Sequence, residues 1–130
     1  MINYAYTILY VEDVEKSLRF YETAFQFQRV FMTEEKDYGE LASGQTKIAF
    51  ASIDLANSNL KNGFTPSQPG QVPFGIELGL TTDNVQKTCD QAIAAGAHLL
   101  EAPITKAWGQ VVAYIQDPNG FLLEICTPMS

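Results

Sequence analysis

Residues 6–25, YTILYVEDVEKSLRFYETAF, and residues 77–96, ELGLTTDNVQKTCDQAIAAG, are two versions of one pattern set seventy-one residues apart. Laid together, they put Tyr6 on Glu77, Leu9 on Leu80, Val14 on Val85, Lys16 on Lys87, Ser17 on Thr88 and Ala24 on Ala95. Each copy is an apolar strand, an acidic or amide cap, and an amphipathic helix. A self-match at fixed spacing restricts the possible folds more than any local propensity does. Two copies do not make a solenoid. They predict two similar modules with a shared site where they face each other.

Strand and helix periods fill in the modules. Thr7, Leu9 and Val11 alternate with Tyr6, Ile8 and Tyr10, which is strand spacing. Asp13 is placed to accept from free amides of the next turn, and Glu12 and Glu15 suit a helix N-terminus. Val14, Leu18, Tyr21 and Phe25 then form one helical stripe, which ends near Gln26 without a glycine cap. Residues 27–33, 38–42 and 46–53 read as strands, with Ser43-Gly44 turning the last pair. The first module, residues 3–53, is therefore βαβββ. Residues 54–73 are rich in Asn, Gly, Pro and Ser and read as a connection.

The second module, residues 74–127, repeats the order. Ile76, Leu78 and Leu80 alternate with Glu77, Gly79 and Thr81. Asp83 or Asn84 caps a helix with the stripe Val85, Cys89, Ala92 and Ile93, stopped by Gly96. Strands follow near 97–102, 110–116 and 121–127. Asp117-Pro118-Asn119-Gly120 turns the last two, with proline pre-setting φ and glycine taking the position that needs φ > 0.

Length and composition bound the function. At 130 residues, 46% hydrophobic and 18% charged, the chain is one globular α+β domain made of two half-size modules. A net charge of −7 argues against nucleic acid and anionic membranes, since both demand a basic surface. No apolar run approaches the roughly 20 residues of a membrane span, and the acidic start lacks a basic leader. Cys89 and Cys126 have neither metal nor redox spacing, which favours free thiols and a cytoplasmic protein.

The strand followed by V-x-D-V-x-x-S-L-x-F-Y (residues 11–21), with Tyr114, D-P-N-G (117–120) and Glu124 late in the chain, resembles the vicinal oxygen chelate superfamily. This is the group of glyoxalase I, bleomycin-resistance proteins, fosfomycin-modifying enzymes and extradiol dioxygenases. The resemblance spans about residues 3–127, and it implies a concave sheet cleft and homodimerisation. Metal-dependent members hold a divalent ion with His, Glu or Gln from the first and last strand of each module. Carried over, those positions are Tyr6, Ala49, Glu77 and Glu124. Alanine offers no ligand and tyrosine is a poor one, so a metal-free small-molecule site is favoured, and if a metal is bound Glu77 and Glu124 are its ligands. The lone histidine, His98, follows the second helix, with nothing to direct it towards the cleft.

The expected lining is Tyr6, Ile8, Tyr10, Ala49, Ala51, Glu77, Gly79, Thr81, Val112, Tyr114 and Glu124, with Trp108 from the preceding loop. Glu77 lies between Ile76 and Leu78, and Glu124 between Leu123 and Ile125, so each carboxylate must reach water or be paired. Facing acids would not ionise independently. Three functions stay open. One is sequestration of a flat or cationic compound by aromatic rings and carboxylate charge. Another is lyase, isomerase or dioxygenase chemistry, with Glu77 or Glu124 as general base or metal ligand and Tyr114 as hydroxyl donor. The third is a non-catalytic structural module.

Overall fold

The computed structural model describes residues 1–129. Among the described residues the chain forms two four-stranded sheets with three helices and divides into two compact units. Met1–Glu22 and Gln26–Pro66 make the first unit; Thr23–Phe25 and the residues from Ser67 on make the second.

In the first unit, β1 (Thr7–Val11) leads through α1 (Val14–Phe25) to β2 (Gln28–Met32), β3 (Tyr38–Ser43) and β4 (Thr46–Ser52). The strands lie in the order β1-β4-β3-β2, with β1 parallel to β4 and the other pairs antiparallel. A parallel pair needs a long crossover, and α1 begins it. Asp13 caps α1, its Oδ1 accepting from the Lys16 amide at 3.0 Å. Gln26 ends the helix in the left-handed region, doing the work usually left to glycine.

Leu18, Tyr21 and Val14 are fully buried, as the helical stripe requires. Tyr21 packs its ring 5.2 Å from that of Phe50 on β4, and Leu18 reaches the bare Cα of Gly39 on β3. Leu9, Val11, Leu41 and Phe50 complete this core. Arg29 and Glu22 close its rim with paired hydrogen bonds of 2.9 Å.

The second unit repeats the plan with β5 (Glu77–Thr81), α3 (Val85–Ala94), β6 (His98–Thr105), β7 (Val111–Gln116) and β8 (Leu122–Cys126). The strand order is β5-β8-β7-β6, again with its first and last strands parallel. Asn84 caps α3, and Gly96 takes φ +122° just past its end. Val85, Cys89 and Ala92 are buried against β6, β7 and β8, together with Ala113, Ile115, Leu123 and Ile125.

Four details depart from the sequence reading. The first strand begins at Thr7, so Tyr6, expected within it, stands just ahead of it. The presumed connection opens as a helix, α2 (Ile53–Asn59), because Ser52 caps it at the Leu55 amide and Ala56 buries against the sheet. Ile93 is 40% exposed and falls outside the α3 stripe. β6 runs on to Thr105 through Pro103, which an edge strand tolerates, and its register breaks between Glu101 and Ile104.

Candidate functional site

Strand alternation dictates which side chains leave the core. On β8, Leu123 and Ile125 are fully buried beneath α3, so Glu124 and Cys126 point to the helix-distal face. On β7, Ala113 and Ile115 are buried likewise, which sends Val112 and Tyr114 to that same face. Register completes a row: Gly79 lies beside Glu124, and Glu124 beside Tyr114. Glu77 is two residues before Gly79 on β5 and so shares the face.

Glu77, Tyr114 and Glu124 therefore meet within the second unit. The Tyr114 hydroxyl donates to Glu124 Oε2 at 3.2 Å. Partial desolvation, then the Glu124 carboxylate, raises the Glu77 carboxyl above its ordinary value. Tyr114 is also held up, by desolvation first and then by both acids, so its hydroxyl stays a donor. Burial and the Glu124 carboxylate push the Cys126 thiol to about 11, leaving it protonated and unreactive at neutral pH. Two acids, a phenol and a thiol thus lie together on one sheet face.

Val112 is buried opposite Cys126 and contributes an apolar neighbour. Trp108 lies on the β6–β7 turn, largely exposed, with its indole donating to Gln110 Oε1 at 2.9 Å. Gln110 in turn donates to the Thr127 carbonyl, which fixes the turn to the chain just past β8. His98 is exposed on edge strand β6, opposite Gln116.

The first unit carries the remaining expected residues. Ile8 and Tyr10 of β1 lie beside Ala49 and Ala51 of β4 on the helix-distal face. Tyr10 meets Phe64 edge-on, ring centres 4.7 Å apart. Ala49 is fully buried and brings no donor. Tyr6, just before β1, interacts with the Tyr38 hydroxyl.

Two residues escaped the sequence reading. Glu40 of β3 lies opposite Ala49, and its Oε2 accepts from the Tyr38 hydroxyl at 2.8 Å. The signal was the one used for Glu77 and Glu124, since Glu40 stands between buried Gly39 and Leu41. It was overlooked because it occupies none of the four superfamily ligand positions. The first unit's acid sits one strand over from the place its counterpart takes in the second: Glu40 pairs with Ala49 as Tyr114 pairs with Glu124.

The donor set does not fit a three-ligand catalytic metal centre. Of the four superfamily positions, only Glu77 and Glu124 bring carboxylates, and one of them already accepts from Tyr114. Among the described residues no three His, Cys, Asp or Glu side chains gather where an ion could be held.

The repeated strand plan and the acid-bearing sheet face define a class, and comparison with known proteins agrees. The chain belongs to the Glyoxalase/Bleomycin resistance protein/Dioxygenase superfamily, whose model matches residues 3–125. It is 27% identical to a probable lactoylglutathione lyase of Vibrio parahaemolyticus, over 92% of this chain and 86% of that protein. It is 28% identical to a virulence protein of Salmonella typhimurium, over 91% of this chain and 78% of that one. A glyoxalase-related enzyme from Fulvimarina pelagi shares the fold with a TM-score of 0.82 at 21% identity, covering 98% of this chain and 89% of that one.

Proposed function

We propose that the protein binds a small organic cation with a flat or aromatic body, without a metal, at the helix-distal face carrying Glu77, Glu124 and Tyr114. The observation behind this reading is the acid pair. Its members lie close enough that Glu124 helps hold the Glu77 carboxyl above its ordinary value. A ligand cation relieves that repulsion and is favoured over a neutral isostere. Val112, beside Cys126, and the exposed Trp108 supply apolar contact in the same unit.

Phenyltrimethylammonium and its neutral tert-butylbenzene analogue test this directly, with binding followed by the fluorescence of the single tryptophan and by calorimetry. The cation is expected to bind at this face at least about tenfold tighter, and Glu124→Gln to remove most of the preference reported by the tryptophan. Equal binding of the neutral analogue overturns the reading. The protein is further proposed to work as a cytoplasmic homodimer, which light scattering on the eluting protein checks for oligomeric state.

A second reading is favoured by one observation, the raised Glu77 carboxyl next to a Tyr114 hydroxyl held in its donor form. In a lyase or isomerase, Glu77 would take a proton from a small oxygenated substrate while Tyr114 donates to the developing oxyanion. The relatives named lactoylglutathione lyase make that chemistry the one to assay. Melting EDTA-treated protein with Ni²⁺, Zn²⁺, Mn²⁺ or Mg²⁺ tests whether either reading involves a metal, and turnover of a lyase substrate separates the two. A native-state ligand at 100 times its Kd adds about 2.7 kcal/mol, so binding is easily seen. A flat response is expected. A rise with one metal that Glu124→Gln abolishes would replace the cation reading with a metal-dependent one.

A further inference from the structure

The first unit holds a second polar cluster that the acid pair does not involve. On its helix-distal face Glu40 is recessed, its side chain only 12% exposed, yet its surroundings are exposed aromatic rings. Phe31 lies opposite Glu40 on edge strand β2, and its ring centre is 5.8 Å from that of Tyr38. Tyr6, just ahead of β1, lies within reach of the Tyr38 hydroxyl. Phe31 and Tyr6 are each about two-fifths exposed, so ring surface beside the recessed carboxylate is open to a ligand.

The two oxygens of Glu40 are used differently. Oε2 accepts the Tyr38 hydroxyl at 2.8 Å, and burial together with this carboxylate holds the phenol in its protonated, donating form. Oε1 faces Lys47 Nζ at 3.7 Å, beyond hydrogen-bond length, and the Lys47 side chain is 48% exposed. An ion pair that long and that wet contributes little, and it leaves Oε1 ready to exchange partners.

We infer that Glu40, Tyr38, Tyr6 and Phe31 form a recognition site for a quaternary or tertiary ammonium group, which displaces Lys47 from Glu40. The ring faces supply cation–π attraction that a solvated lysine ammonium on a flexible stem does not use. Alkylated ammonium is weakly hydrated and gives up less on entering such a site. Tyr38 does not compete as a ligand; it fixes the rotamer of the carboxylate it bonds. This site rests on residues of the first unit alone, independently of the acid pair.

Site-resolved NMR of ¹⁵N-labelled full-length protein titrated with tetramethylammonium at low ionic strength is the test. The expected result is saturable shifts centred on the amides of residues 38–41 and 47. Glu40→Gln, which keeps the side-chain shape and an acceptor for Tyr38, should weaken binding about tenfold or more. Lys47→Ala should strengthen it about threefold, because the competing cation is gone. Tyr38→Phe should weaken it less than Glu40→Gln, since a ring remains. Glu124→Gln should leave it within about twofold.

The Lys47 arm is the sharpest, because a site that merely sits near a structural ion pair loses affinity when the pair is broken. Weakened or unchanged binding in Lys47→Ala overturns the inference. Shifts confined to residues around Glu77 and Glu124, lost in Glu124→Gln and kept in Glu40→Gln, also overturn it while leaving the proposed function standing. No saturable shift up to tens of millimolar does so as well.

Discussion

At the scale of single residues, Glu77 offers a test whose sign is determined. Its carboxyl is raised on folding, so the folded chain keeps that proton after the unfolded chain has lost it. The associated stability is fully present below the ordinary value of 4.5 and is lost as pH rises through the folded value. Glutamine never ionises and escapes that loss. Glu77→Gln should therefore melt higher than the parent at pH 7, with an advantage that shrinks as pH falls to about 4. An advantage of equal size at both pH values would mean the two acids do not interact.

Much of this was readable from residue order. Glu77 and Glu124 each interrupt an apolar alternation, and such interruptions must leave the core. Glu40 obeys the same rule between Gly39 and Leu41 but lies where no superfamily position directs the eye. The Tyr38–Glu40 bond was not readable, because it joins residues two apart on one strand, where propensity carries no information about side-chain pairing.

At the scale of elements, the Asp117–Gly120 turn is the most restrictive joint. Asp117 is buried, and its Oδ1 accepts from the amides of Asn119 and Phe121, both at 2.9 Å. Gly120 adopts φ +94°, and a Cβ there would lie 2.3 Å from the Gln68 carbonyl oxygen and 2.7 Å from its carbon. Neither a backbone carbonyl nor this φ can yield cheaply. Gln116 adds to the rigidity by donating to the carbonyls of Gln71 and Gly120 at 2.9 and 3.0 Å. Gly120→Ala should cost on the order of 3 kcal/mol or more in urea unfolding, well above an ordinary loop substitution. A cost below about 1 kcal/mol would mean residues 67–71 are not held against the turn. Turn chemistry identified the turn itself from four letters. The partner strap at Ser67 and Gln68 was invisible, since long-range backbone packing has no local signature. The α2 helix is hidden for a related reason: four of its seven residues are Asp, Asn or Ser, and Ile53, which opens it, reads as the end of the preceding strand.

At the scale of the whole molecule, the seventy-one-residue repeat carried the architecture, because two identical strand orders follow from one pattern used twice. Neither strand pairing nor module order required knowledge of any ligand. Ligand choice depends instead on charge, and the chain carries −7 over 130 residues. A cationic ligand then feels both its local carboxylate and a broad negative field, and these respond differently to salt. The Debye length falls from about 30 Å at 0.01 M to about 10 Å at 0.1 M, which removes distant charges and spares close ones. Phenyltrimethylammonium affinity should drop roughly three- to tenfold between 10 and 500 mM NaCl, with most of the drop below 100 mM. Its neutral analogue should change little across the same range. Affinity for the cation that does not respond to salt would mean that shape and apolar contact select the ligand. The acidic faces around Glu77, Glu124 and Glu40 would then have no part in its recognition.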